Sequence, residues 1–170
     1  MHKIQPKGEK IRFYFLDRIT KYDLGESVEG CKCWTLSEDI FEQHFPGYPV
    51  VPGVFIIESM AQLMGFLIEK SYSAKYPESH GVYAVLSIVH KAKFKNFVSP
   101  GDKIEMKGTL KTLGDSHATG EVKAYVDKKL SAQAELSYIL ASKEQFSKSR
   151  LAEKQDEYFR ILTRGIESGE

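Results

Sequence analysis

The sequence predicts an α+β domain in which one long buried helix is wrapped by a curled antiparallel β-sheet, with an amphipathic helix at the carboxyl end. Three observations carry that prediction. Residues Val54 to Ile68 are apolar on nearly every side, so a helix there has no solvent face of its own. From Val82 to Ala141 apolar and polar residues alternate in runs separated by turn residues, the period of antiparallel strands. Nothing else in the body of the chain can cover the helix, so the sheet has to curl around it.

The elements follow in order. Residues up to Lys10 are polar and expected to fray, and a first strand runs from Ile11 to about Tyr22 on alternating residues. After a turn at Asp23, Gly25 and Glu26, Ser27 to Leu36 forms the second strand of a hairpin. Ser37 is placed to cap a short helical turn, Glu38 to Gln43. Pro46, Pro49 and Pro52, with Gly47 and Gly53 between them, then exclude regular structure, so His44 to Gly53 is a built loop. Pro52 suits the first position of the buried helix, which ends at Lys70 before a polar surface linker, Ser71 to Gly81. Strands are expected at Val82 to His90, Lys91 to Val98, Lys103 to Leu113, His117 to Asp127 and Leu130 to Ala141, giving a sheet of five to six strands. In the tail, Leu151, Tyr158, Phe159, Leu162 and Ile166 lie near one helical face, for packing on this domain or on a neighbouring subunit. The division is therefore a domain over residues 1–141 and a helical extension over 142–170.

Composition narrows the function. With 170 residues, a net charge of +1 and 28% charged residues, neither wholesale nucleic-acid binding nor acidic disorder is indicated. The buried helix is interrupted by Glu58, Ser59 and Gln62 and is shorter than the roughly 20 apolar residues that span a bilayer. Cys31 and Cys33 alternate with Lys32 in a strand-like run without metal-ligand spacing, and no charged leader opens the chain. The reading is a reduced, cytoplasmic protein with no metal.

Polarity inside the oily helix marks the chemistry. A buried carboxylate costs several kcal/mol unless partnered, so Glu58 needs a reason, and Gln62, four residues on, shares its helical face and can bond it. His44 stands in the rigid loop just before. The helix amino end at Gly53 and Val54 offers free N–H groups and a positive dipole end to an oxygen gaining negative charge. Base, acid and oxyanion donors together fit proton removal next to a carbonyl, with the apolar helix as a wall for an alkyl chain. No nucleotide-binding loop, flavin motif or metal spacing accompanies these residues, and no cofactor is expected.

The run His44-Phe45-Pro46-Gly47-Tyr48-Pro49-Val50-Val51-Pro52-Gly53-Val54, followed by Glu58-Ser59-Met60-Ala61-Gln62, closely resembles the signature of the 3-hydroxyacyl-acyl-carrier-protein dehydratases of the FabZ/FabA type. Lys93-Phe94-Lys95, Val98-Ser99-Pro100-Gly101-Asp102 and Phe15-Leu16-Asp17-Arg18 extend the likeness over most of residues 11–141. The resemblance implies the hotdog fold, a homodimer or an assembly of dimers, and a site shared between subunits. It makes His44 the base that takes the α-proton, Glu58 the acid that lets the 3-hydroxyl leave as water, and the Gly53 N–H the holder of the thioester oxygen. Phe45, Val54 and Gln62 are implied as substrate-binding. The acyl chain would arrive on acyl carrier protein, an acidic partner, for which Lys91, Lys93 and Lys95 are the candidate docking residues, alternating along one strand. Glu rather than Asp at position 58 implies dehydration alone, within fatty acid or related lipid synthesis. The tail beyond Ala141 is longer than is typical of the family. Two further readings of the same fold are an acyl thioesterase, which leaves His44 without a role, and a non-catalytic acyl-binding or assembly subunit.

Overall fold

The computed structural model describes residues 13–146 and 151–166. The polar lead to Lys10 and the start of the first strand at Ile11 lie outside them. Strands β1 (Arg18–Asp23), β2 (Ser27–Cys33), β3 (Val82–Phe94), β4 (Lys103–Leu113), β5 (His117–Val126) and β6 (Lys129–Ser142) form one antiparallel sheet in the order β1-β2-β4-β5-β6-β3. Helix α1 (Gly53–Lys75) touches β2 through β6, so the sheet does wrap it in the hotdog manner. A second helix, α2 (Leu151–Leu162), lies on the same domain.

The core is the inner face of α1 against the concave face of the sheet. Met60, Leu63, Met64, Phe66, Leu67 and Ile68 are buried, and they meet Val28, Ile104, Met106, Val122, Leu136 and Tyr138. Burying each such side chain contributes about 1.5–3 kcal/mol relative to exposure, which is why α1 needs no strong polar face. The β5–β6 turn falls at Asp127 and Lys128, both with positive φ, 47° and 67°, the geometry that matches strand twist in tight hairpins.

Several boundaries differ from expectation, each for a reason visible in the hydrogen bonds. The segment 13–17 is not strand, because its backbone turns to the helix: Phe15 N–H donates to Gln62 Oε1 at 2.9 Å and Phe13 C=O accepts from Gln62 Nε2 at 3.1 Å. β2 stops at Cys33, since Trp34 instead exchanges bonds with Gly101 and Asp102. The helical turn shrinks to a 3-10 turn at Asp39–Phe41 without a side-chain cap, and Ser37 Oγ pairs with Thr35 Oγ1 at 2.7 Å. Pro52 is the cap residue of α1, and Gly53 is its first helical residue.

α1 also continues past Lys70 to Lys75. The serines read as linker are satisfied inside the helix: Ser73 Oγ donates to Glu69 C=O at 3.0 Å, and buried Ser71 Oγ accepts from Gly25 N–H at 2.8 Å. Lys75 suits the negative end of the helix dipole, and Pro77 prevents further helix. The two strands expected over Val82 to Val98 are one strand, β3, which pairs with β6 throughout and absorbs register shifts at Leu86/Ile88 and Val89/Lys91. Bulges of this kind bend a strand and help the sheet curl.

Candidate active site

His44 is held by its loop. Phe45 and Tyr48 exchange two backbone bonds of 3.1 and 2.9 Å, and Val50 N–H donates to His44 C=O at 2.9 Å, closing residues 44–50 into a compact turn with Gly47 at φ 80°. The His44–Phe45 peptide is cis. His44 Nδ1 lies 2.9 Å from Val50 C=O. A carbonyl can only accept, so Nδ1 carries the proton and Nε2 is left as the basic nitrogen. The ring stacks on Phe45 at 4.2 Å.

The loop delivers the chain to the amino end of α1. Among the described residues no acceptor pairs with the Gly53 or Val54 N–H, as expected for the first turn of a helix. Phe94 explains the glycine: a Cβ at position 53 would stand 2.8 Å from its Cζ. His44, Phe45, Gly53, Val54, Phe94 and Phe97 are among the walls of a mainly apolar cavity of ≈ 440 Å³. Base and N–H donors therefore share one cavity, together with the predicted Phe45 and Val54.

Glu58 is elsewhere. It lines a smaller cavity of ≈ 190 Å³ with Ala61, Gly65, Tyr138, Tyr158 and Phe159, which has no lining residue in common with the first. Gln62 Nε2 donates to Glu58 Oε1 at 2.9 Å, as the four-residue spacing predicted. The rest of the Gln62 amide is also committed, to Phe13, Phe15 and the Tyr158 hydroxyl, so this side chain orients the carboxylate and has no free group for substrate. Within one chain the structure does not bring His44 and Glu58 together.

Of the three lysines, Lys91 and Lys93 are on β3 and exposed, while Lys95 lies one residue past its end, with its N–H bonded to Ser131 C=O. Lys91 stands opposite Glu135 and shares a shallow depression with Glu121. The expected row of three lysines on one strand is thus two, one of them beside carboxylates.

Two polar features escaped the sequence reading. Glu69 is 5% exposed; its Oε1 accepts from Ala84 N–H and Gln155 Nε2, and its Oε2 is 3.5 Å from Lys143 Nζ, an ion pair rather than a good hydrogen bond. Burial pushes its carboxyl above the usual range against those three partners. Its spacing of eleven from Glu58 puts it on the same helical stripe, a legible signal that its place near the expected helix end obscured. Tyr138, whose hydroxyl donates to Ala61 C=O at 3.0 Å and is pushed upward by burial, had no such signal.

A single helix wrapped by a curled antiparallel sheet, with an imidazole loop and free N–H groups at the helix's amino end, defines a hotdog protein. The chain belongs to the FabA-like family, whose model matches residues 8–135. It is 42% identical to the 3-hydroxyacyl-[acyl-carrier-protein] dehydratase FabZ of Campylobacter fetus over 84% of this chain and 96% of that protein. It is 38% identical to the FabZ of Aliarcobacter butzleri, over 75% of this chain and 87% of that one. Among solved structures, the dehydratase heterocomplex ApeI:P of Xenorhabdus doucetiae aligns with a TM-score of 0.62 at 13% identity, over 80% of this chain and 88% of that one. A hypothetical thioesterase of Streptococcus pneumoniae, solved with coenzyme A, aligns at 0.56 and 11% identity, over 74% and 85%. Dehydratase and thioesterase share the fold, so it is the sequence relatives that separate them.

Proposed function

We propose that His44, Glu58 and the Gly53 N–H carry out the dehydration, in a site completed by a second copy of the chain. The chain is a 3-hydroxyacyl-acyl-carrier-protein dehydratase, which converts a 3-hydroxyacyl thioester to the trans-2-enoyl thioester and water. His44 Nε2 takes the proton from C2, and the charge that develops on the thioester oxygen is held by the Gly53 N–H. The C3–O bond then breaks as Glu58 gives its proton to the departing hydroxyl, which leaves as water. One proton is gained by His44 and one lost by Glu58, so a proton exchange resets the pair. The step changes no oxidation state overall and needs only these transfers.

The observation that carries this reading is the Nδ1–H bond to Val50, which presents Nε2 as base in the same cavity as the unpaired N–H of Gly53. The second copy is supported by the separation of His44 and Glu58 into different cavities. It is supported too by β3, an edge strand of 13 residues whose Val85, Ile88 and Val89 are exposed, a surface that calls for a partner. Acyl carrier protein is the proposed source of substrate, with Lys91, Lys93 and Lys95 as its contacts. A cytoplasmic setting fits the two free thiols, Cys31 and Cys33. No helix among the described residues is long and apolar enough to cross a membrane.

The test uses His44→Ala and Glu58→Gln with a 3-hydroxyacyl thioester. Each folded variant should lose turnover by a factor of about 100 or more. Mixing the two after reversible dissociation should restore activity, because a mixed dimer holds one site with both native groups. Near-native rates in either variant would remove that residue from the mechanism, and failure of the mixture to recover would place both groups within one subunit. Free thiol without loss of water would instead identify a thioesterase.

A further inference from the structure

We infer that Tyr158 of α2, a helix beyond the family domain, is a positioning residue for this active site, holding Glu58 through Gln62. The inference rests on the assignment of Glu58 as the acid. α2 lies wholly past residue 135, where the match to the family ends. It nevertheless lines the Glu58 cavity with Gln155, Tyr158 and Phe159.

The geometry is a clamp. The Tyr158 hydroxyl lies 2.8 Å from Leu16 C=O and 3.2 Å from Gln62 Oε1. Its one proton is shared between two acceptors, because both neighbours can only accept there: Gln62 Oε1 also takes the Phe15 N–H, which fixes which end of the amide is oxygen. The other end, Nε2, then points its two protons at Phe13 C=O and Glu58 Oε1. All four positions of the amide are filled, so it cannot rotate away from Glu58 without breaking three other bonds. Tyr158 is itself fixed by stacking on Tyr14 at 4.2 Å, and α2 is anchored by buried Phe159 and Leu162. Burial pushes the Tyr158 hydroxyl well above its ordinary titration range, so it stays a donor wherever the enzyme works. An element outside the family domain thereby supplies one corner of the network that aims the carboxylate.

Tyr158→Phe removes the hydroxyl and keeps the ring stack, so it is made in the full chain beside Gln62→Ala, the double variant, Glu58→Gln and Leu162→Ala. Tyr158→Phe should lower kcat roughly three- to tenfold, the size of one lost hydrogen bond, with KM within about twofold. In the Gln62→Ala background it should have no further effect, since the path runs through that amide. Leu162→Ala, which loosens α2 without touching the hydroxyl, should lower the melting temperature more than Tyr158→Phe and kcat less. An unchanged kcat, an equal loss in both backgrounds, or a loss that only tracks melting temperature across the two α2 variants would each overturn the inference. Full activity in Glu58→Gln would overturn the acid assignment beneath it, whereas a dead Glu58→Gln with an unaffected Tyr158→Phe would overturn this inference alone.

Discussion

Replacing Gly53 by alanine puts a methyl group 2.8, 3.0 and 3.2 Å from Cζ, Cε1 and Cε2 of Phe94. Favourable carbon contact is at about 3.5–4.0 Å, so the ring has to retreat by roughly 0.7 Å or more. Whether it can decides the outcome. All three atoms belong to one ring that is 50% exposed, so it swings outward and the overpacking cost stays near the lower end of about 1–3 kcal/mol. Gly53 has no positive φ, so alanine also gains about 0.4–1 kcal/mol by restricting the unfolded chain. The two nearly cancel, and the melting temperature should move by less than about 4 °C. Activity should not be spared. Phe94 is a wall of the His44 cavity, and its ring packs beside Gly53, whose N–H is assigned to the thioester oxygen. A misplacement approaching 1 Å can cost up to about a hundredfold, so kcat/KM should fall by roughly 10- to 100-fold with the N–H still present. Formation of the enoyl thioester, followed by its ultraviolet absorbance, reads this directly. Adding Phe94→Leu gives the methyl room and should recover part of the loss. Native kinetics in a folded Gly53→Ala protein would refute the idea that this ring and this N–H form one substrate surface.

Two further predictions follow from charge. Burial holds the Glu69 carboxyl above its ordinary value of 4.5, so the folded chain binds that proton more tightly than the unfolded chain does. Its contribution to stability is full below the ordinary value and is lost as pH rises through the raised one, so Glu69→Gln should flatten the fall in melting temperature as pH rises above 4.5; a steeper fall in the variant would contradict the burial argument. Lys93→Glu with Lys95→Glu should raise KM for carrier-linked substrate while leaving a short acyl-pantetheine substrate nearly unaffected, and added salt should weaken the native reaction with the carrier. Equal losses on both substrates would remove these lysines from docking.

Much of the layout was legible because it is periodic. The β4 bounds, Lys103–Leu113, agree with expectation to the residue, since alternation and flanking turns both mark them. The extra turn of α1 was not legible, because Ser71 and Ser73 look like linker until their hydroxyls are seen bonded to Gly25 and Glu69. Residues 13–17 alternate as a strand should, yet the backbone of Phe13 and Phe15 bonds the Gln62 side chain, 47 residues on from Phe15. The Glu58–Gln62 bond was readable from a local spacing; Tyr158, 96 residues from Gln62, was not. Local periodicity says which face a residue takes, but it carries no information on which distant element meets that face.

The two cavities explain why one helix organises both fold and chemistry. Gly53, Val54, Ile56 and Ile57 at its amino end line the cavity that holds His44, and the stripe through Glu58, Gln62, Gly65 and Glu69 lines the other. A substrate a few carbons long has to present C2 to one group and the C3 hydroxyl to the other, atoms that are bonded neighbours. His44 and Glu58 line separate cavities of one subunit, and in the proposed mechanism a second copy applied to the open edge of β3 sets His44 of one subunit against Glu58 of the other. On the mechanism proposed above, the exposed apolar residues of β3 and the divided site have a single cause: each chain carries both groups but completes a site only with a second copy. On this argument activity should fall with dilution in step with dissociation measured by sedimentation. A dilute monomer with full turnover would separate the edge strand from the chemistry.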